Sequence, residues 1–181
     1  IRCSFSRWKF GLITLGFFGS LRLLLFIGEK FKTYANGALP FDLQNSLTSE
    51  DVFAQLDNYT EQAFLLYYVF TAIDYAFPLL AGLFLAVIWA YVLRHNLPRW
   101  YETGLQRNLF VLLLIPTLFD WLENIALLAT ILAFPAELHS AADAAVIVKQ
   151  AKLAATFTAQ GATGLILLTG LLLMLKRRLT R

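Results

Sequence analysis

Four long apolar stretches divide the chain, and the shorter segments between them hold most of its charged residues. The stretches cover residues 10–30, 63–93, 108–134 and 150–175. An α-helix needs roughly 20 predominantly apolar residues to cross the hydrocarbon core of a bilayer. The pattern therefore predicts an all-α integral membrane protein, in which a bundle of four transmembrane helices forms a single membrane domain over residues 1–181.

The segment between the first two stretches, residues 33–60, has a different character. It carries several acidic residues, among them Asp42 and Asp51, and a turn signal at Pro40. The sequence SEDVFAQL is amphipathic, and Thr48 or Ser49 can cap it because a hydroxyl accepts hydrogen bonds from the first amides of a helix. We predict a short amphipathic helix in this loop, lying at the outer face of the membrane.

Basic residues indicate the direction of the helices. If all four stretches cross, three basic clusters fall on one side: Arg2, Arg7 and Lys9; Arg94, Arg99 and Arg107; Lys176, Arg177, Arg178 and Arg181. The positive-inside rule then predicts that both termini and the middle loop are cytoplasmic. The first stretch could also be a cleaved signal peptide, but its length and its internal arginine favour a retained anchor.

Composition agrees with this picture. Hydrophobic residues make up 59% of the chain and charged residues 15%, and the mean hydropathy is +0.63. A soluble domain of this size could not bury so much apolar surface. The net charge of +3 does not predict a nucleic-acid partner, because the basic residues flank apolar stretches. Cys3 is the only cysteine, so the chain can form no internal disulfide or thiolate cluster.

Polar side chains inside the apolar stretches are the candidate functional residues, because an ionisable group in hydrocarbon is costly unless it finds a partner or water. They recur at spacings of three and four, which places those of one span on one helix face. The candidate ligand-binding residues are Arg22, Tyr67, Asp74, Asp120, Glu123, Asn124, Lys152 and Gln160.

These residues are expected to share one layer of the bundle. Counting about 1.5 Å per residue from the cytoplasmic ends places most of them in the outer half of the membrane. We expect a polar cavity there, with Arg22, Lys149 and Lys152 opposing the carboxylates, above an apolar inner half. Pro78 and Pro116 should each remove a backbone hydrogen bond near this layer.

The leading functional hypothesis is that this cavity binds a lipid-like or amphiphilic small molecule, to which a carboxylate could add acid–base catalysis. The polar residues could instead serve only to hold the helices together. An accessory or assembly subunit of a larger membrane complex is the alternative function, and ion or proton conduction is a third, against which the apolar inner half argues. No cofactor or metal is expected, since His95 and His139 lie on opposite sides and no catalytic or phosphate-binding motif is present.

Overall fold

The computed structural model describes residues 6–179, with the backbone alone at residue 7. Within this part of the chain the regular structure is helical and contains no strand. Seven α-helices are found there: α1 (Arg7–Tyr34), α2 (Ser49–Leu56), α3 (Glu61–Asp74), α4 (Phe77–Asn96), α5 (Pro98–Gln106), α6 (Ile115–Ala133) and α7 (His139–Leu179). Short 3-10 segments occupy Phe41–Leu43 and Leu109–Leu114.

Four helical segments of the described chain are long and apolar enough to cross a membrane. They are Trp8–Tyr34, Glu61–Asn96, Leu109–Ala133 and His139–Leu179. The prediction of an all-helical protein is therefore confirmed, and so is the prediction of four segments with the length and composition of membrane spans.

The second span consists of two helices instead of one. α3 and α4 are separated by two residues, and Pro78 lies in the first turn of α4. Trp121 Nε1 of α6 donates a hydrogen bond to the Tyr75 carbonyl at this break (2.9 Å), and Thr117 Oγ1 donates to the Pro78 carbonyl (2.8 Å). Side chains of α6 therefore bond to backbone oxygens at the break, which matters because hydrocarbon offers no water to do so.

The third span begins irregularly as well. Its first six residues form the 3-10 segment Leu109–Leu114, and Pro116 lies in the first turn of α6. Amides in the first turn of a helix have no intrahelical acceptor, so proline costs no hydrogen bond there. The prediction that Pro78 and Pro116 each remove a helical hydrogen bond is therefore wrong, because both stand at helix starts.

One end of the bundle, called the loop end below, is covered by residues 35–60. Thr60 donates from its amide and its hydroxyl to the Tyr34 carbonyl (3.4 and 3.0 Å), which ties the start of α3 to the end of α1. α2 packs against α7 and buries Val52, Phe53 and Leu56. An apolar core fills this end; its largest fully buried members are Phe31, Phe41, Leu56, Tyr67 and Leu127.

α2 begins with a reciprocal cap. The Asp51 amide donates to Thr48 Oγ1 (3.2 Å), while the Thr48 amide and hydroxyl donate to Asp51 Oδ2 (3.0 and 2.8 Å). This capping box satisfies backbone donors that a helix start leaves open. The hydrogen bonds from Thr48, its hydroxyl first, lower the pKa of the Asp51 carboxyl from its ordinary value.

The opposite end, called the basic end below, contains α5 and the last turns of α7. Arg177 donates from its guanidinium to the carbonyls of His95 and Asn96 (3.2 and 3.3 Å), where α4 ends. Tyr101 and Phe110 pack together there, with ring centres 6.1 Å apart. Apolar side chains of α4, α5, α7 and the 3-10 segment Leu109–Leu114 form a second core between this end and the polar layer.

Candidate functional site

Lys152 of α7 lies at the centre of a group of buried charges. Its ammonium nitrogen is 2.5 Å from Glu123 Oε2 and 3.2 Å from Asp120 Oδ1, both on α6. It also forms an ion pair with Asp42 Oδ1 from the loop segment that follows α1. A single lysine therefore joins three carboxylates from two separate parts of the chain.

Lys149 lies one turn before Lys152 and is 1% exposed. Its ammonium is 2.5 Å from Glu123 Oε1 and donates to the carbonyls of Phe41 and Asp42 (3.0 and 3.2 Å). Each carboxylate oxygen of the fully buried Glu123 thus faces one ammonium group. Charge pairing of this kind is what allows ionised groups to remain in an apolar interior.

Asn124 extends the group towards α3. Its side-chain nitrogen donates to Asp74 Oδ2 (2.8 Å) and to Asp120 Oδ2 (3.2 Å). A primary amide has two N–H donors, so it can hold two carboxylates near each other. We call the six charged residues of this network the carboxylate–lysine cluster: Asp42, Asp74, Asp120, Glu123, Lys149 and Lys152. Four carboxylates against two ammonium groups leave a formal charge of −2 when all are ionised.

The structure brings five of the eight candidate residues together here: Asp74, Asp120, Glu123, Asn124 and Lys152. Tyr67 lies close by in the apolar core of the loop end, where its ring packs against Phe41 and Phe31 at centre distances of 5.5 and 6.0 Å. Gln160 is exposed and lines the cleft described below.

Arg22 does not join the cluster. It is exposed on the side of α1 that faces away from the bundle, and it makes no ion pair or hydrogen bond with any residue from 6 to 179. The expected charge balance therefore differs, because Asp42 adds a fourth carboxylate and Arg22 adds no positive charge.

Asp42 is the member that the sequence did not single out. It lies in the 3-10 segment Phe41–Leu43 and is separated from Lys152 by 110 positions along the chain. Helical periodicity cannot place a loop residue, so the spacing of Asp42 from the other polar residues did not predict its position in the cluster. The available hint was chemical: Asp42 is the first acidic residue after the Pro40 turn, next to a phenylalanine suited to burial.

A cleft of about 360 Å³ runs from the cluster along the bundle and is partly open to the surroundings. Asp42, Asp120 and Lys152 lie on its wall at the cluster, with Thr117, Thr156 and Gln160 as further polar residues. The rest of the lining is mainly apolar, and its larger side chains are Phe17, Phe77, Phe84, Leu85, Leu113 and Leu153. The cleft is therefore amphiphilic, because its wall is charged beside the cluster and mainly apolar elsewhere.

Stacked aromatic rings build one wall of this cleft. Phe17 of α1 stacks on Phe84 and on Phe77 of α4, with ring centres 4.9 and 5.7 Å apart. Offset stacking at such distances adds to the energy of apolar burial and holds the rings in a defined orientation. Gly82, also on α4, permits a close approach of the 3-10 segment Leu109–Leu114, since a Cβ there would lie 2.7 Å from Leu114 Cδ2.

A second cleft, of about 480 Å³, lies at the basic end between α4, α5 and α7. Its lining includes Trp89, Trp100 and Phe110, and no charged side chain of the described residues is part of it. It is larger than the first cleft but offers fewer groups that could orient a ligand. The cleft at the cluster is the better candidate site, because a few convergent polar groups in an apolar pocket are typical of ligand sites.

Carboxylate oxygens of Asp42, Asp120 and Glu123 lie within 4.8 Å of one another, as they would around a metal ion. The Lys152 ammonium contacts all three residues. A cation could bind these oxygens only by displacing that ammonium, so the donor set fits a lysine better than a metal and we assign no metal to it.

Compared with known proteins, the chain matches no protein-family model, no curated protein and no solved structure.

Proposed function

We propose that this protein binds an amphiphilic molecule with a positively charged head group, held within the membrane in the cleft beside the carboxylate–lysine cluster. The observation that carries the proposal is the cleft itself, whose mainly apolar wall meets Asp42, Asp120 and Lys152 at one place. Its volume of about 360 Å³ lies at the lower end of the range for small-molecule pockets. An alkyl or aromatic tail suits the apolar part.

The charge of the cluster selects the head group. Carboxylates outnumber ammonium groups by four to two in the cluster, which favours a cation over an anion, and two of these carboxylates, Asp42 and Asp120, are on the cleft wall. An amine head can donate hydrogen bonds to their remaining lone pairs while Lys152 stays in place. An anionic head would approach Lys152 only by facing the same carboxylates. Binding fits this arrangement better than catalysis, because Lys152 and Asn124 already engage the Asp120 carboxylate.

The proposal includes an orientation. The basic end is cytoplasmic, since the exposed arginines Arg99, Arg107 and Arg178 lie there and positive residues accumulate on that side of membranes. The loop end then faces outward, with α2 at the outer surface and the cluster nearer the outer leaflet. To test this, single cysteines replace Asn58 or Glu102, both exposed, in a Cys3→Ser background. A membrane-impermeant maleimide should label the cysteine at position 58 in intact cells, and the one at 102 only after permeabilisation; the reverse pattern contradicts the orientation.

The binding test compares two photoreactive probes with the same long alkyl chain, one ending in an amine and the other in a carboxylic acid. In nanodiscs, the amine should label the protein at lower concentration. Asp120→Asn should raise its half-saturating concentration about tenfold, because a hydrogen bond to a charged group is worth about 1.5–3 kcal/mol. Asp143→Asn is the matched control, since Asp143 is exposed on α7 and is not part of the cleft wall.

A steric variant separates binding from stability. Ala81→Phe places a ring in the cleft, whereas Ala154→Phe places one on an exposed position of α7 outside it. The first should abolish amine labelling and the second should not. If Ala81→Phe labels normally while Asp120→Asn unfolds the protein, the cluster serves only to hold the helices together, and the proposed function fails.

A further inference from the structure

One face of α1 points away from the rest of the bundle. Exposed residues recur along it every three or four positions: Leu15, Phe18, Gly19, Arg22 and Phe26. The opposite face carries Leu24, Ile27 and Phe31, which are buried against the other elements. Phe84 of α4 touches the edge of this face at Phe18, with ring centres 6.0 Å apart, and Lys30 lies over the Phe26 ring. The rest of the outward face, around Gly19 and Arg22, is exposed.

Arg22 lies deep within this face. The exposed residues Lys9 and Glu29 are 20 positions apart, which is about 30 Å of α-helix and equals the thickness of the hydrocarbon core. Arg22 lies about 20 Å from Lys9 and about 10 Å from Glu29 along the axis. Helical side chains lean towards the helix N-terminus, so its guanidinium points away from the nearer boundary. Reaching head groups from this position is unfavourable in either direction.

The described chain offers Arg22 no counter-charge. Glu29 is on the same face but pairs with Lys32 (2.7 Å). Glu61 and Asp143 lie towards the loop end, in the first two turns of α3 and α7. The carboxylates deeper in the other spans, Asp74, Asp120 and Glu123, are buried in the cluster and already bonded. A lipid-facing arginine without a partner is costly, and such residues in membrane proteins characteristically mark an interaction.

We propose that the outward face of α1 binds a transmembrane helix of another protein that presents an aspartate or glutamate at the depth of Arg22. A carboxylate is the complement because a guanidinium can donate two parallel hydrogen bonds to it. A parallel second copy of this chain does not qualify, since its outward face would bring another Arg22. Gly11 and Gly19 on the same side have no atom within 4 Å of a Cβ position, which lets a neighbouring backbone come close. This inference is independent of ligand binding in the cleft and accords with an accessory role in a membrane complex.

The test uses the purified chain in phosphatidylcholine vesicles and synthetic leucine-rich transmembrane peptides with lysine ends. One peptide carries a central glutamate and the other a leucine, and energy transfer reports association. The glutamate peptide should reach half-saturation at about tenfold lower mole fraction than the leucine peptide, as expected for a polar contact between membrane helices. Arg22→Leu should remove this preference, and Arg22→Glu should transfer it to a peptide with a central lysine.

Two glycine variants control for folding and for contact with the correct face. Gly19→Phe places bulk beside Arg22 and should weaken binding of the glutamate peptide, whereas Gly161→Phe does so on α7 and should not; both positions face open space, so neither should disturb the fold. Equal binding of the glutamate and leucine peptides to the unchanged chain overturns the proposal and indicates that water or lipid phosphate satisfies Arg22. Self-association of the chain that disappears in Arg22→Leu overturns it in favour of a homomeric interface.

Discussion

Replacing Lys149 by methionine should destabilise the protein more than any surface charge substitution. The Lys149 and Glu123 side chains are 2% and 0% exposed, and their charged atoms are 2.5 Å apart. Removing one partner of a buried pair typically costs 3–5 kcal/mol, because it leaves an uncompensated charge. Lys152 still contacts Glu123 in the variant, so we expect a loss of about 3 kcal/mol at the lower end of that range.

The assay is unfolding of the purified protein in mixed micelles with increasing sodium dodecyl sulfate, followed by circular dichroism. Lys32→Met is the matched control, since its ion pair with Glu29 has a similar length of 2.7 Å but side-chain exposures of 37% and 71%. An exposed pair contributes between 0 and about 1 kcal/mol. The comparison therefore separates the effect of burial on the free energy of unfolding from the effect of the distance between the charged atoms.

A double variant tests the reason for the loss. Lys149→Met with Glu123→Gln removes the unpaired charge along with the pair, so its cost should fall below the sum of the single costs by about 1–3 kcal/mol. If Lys149→Met lowers the free energy of unfolding no more than Lys32→Met does, the buried ion pair is not what stabilises this part of the protein. The reasoning is also refuted if the two cluster substitutions are simply additive, because Lys149 and Glu123 would then not be coupled.

Two further predictions concern local structure. Thr48→Ala should destabilise α2 by about 1 kcal/mol, measured as faster hydrogen exchange of the α2 amides. Because the pKa of Asp51 is lowered in the folded protein, its carboxylate stabilises the cap at pH values above its ordinary pKa of 3.8, and this contribution disappears as the pH falls through the lowered pKa. Unchanged protection of the amides at acidic pH contradicts the cap. Gly82→Ala should cost about 1–3 kcal/mol in thermal or detergent unfolding, since its Cβ would lie 3.0 Å from the Leu113 carbonyl oxygen. Gly164→Ala has open space and should be neutral or stabilising by up to about 1 kcal/mol; equal effects of the two would argue against close packing at Gly82.

The convergence of α3, α6 and α7 on one polar layer could be predicted from sequence. Asp120, Glu123 and Asn124 follow helical spacing, and Asp74 and Lys152 are the ionisable residues at a similar depth of neighbouring spans. Hydrocarbon excludes such groups, so they have nowhere to lie except between helices. The exclusion of charged groups from hydrocarbon and the period of the α-helix together predict this part of the site.

The roles of Asp42 and Arg22 could not be predicted in the same way. Asp42 reaches the cluster through a loop, whose path follows from tertiary packing of Phe41 and not from a repeating pattern. For Arg22, the difficulty is that α1 is apolar on both faces, and a lipid-facing leucine looks like a core leucine in the sequence. Hydrophobic periodicity therefore did not show which side of α1 faces the bundle.

The pairing of α6 with α7 has a consequence for membrane insertion. Asp120 and Glu123 emerge during synthesis before Lys149 and Lys152, their countercharges. A lone α6 would carry two unneutralised carboxylates into lipid, whereas α6 and α7 together bring in a charge-matched hairpin. These helices should therefore enter the bilayer as one unit. The loop around Phe41, synthesised 108 positions before the lysine that holds it, must wait for that event before it can close over the bundle.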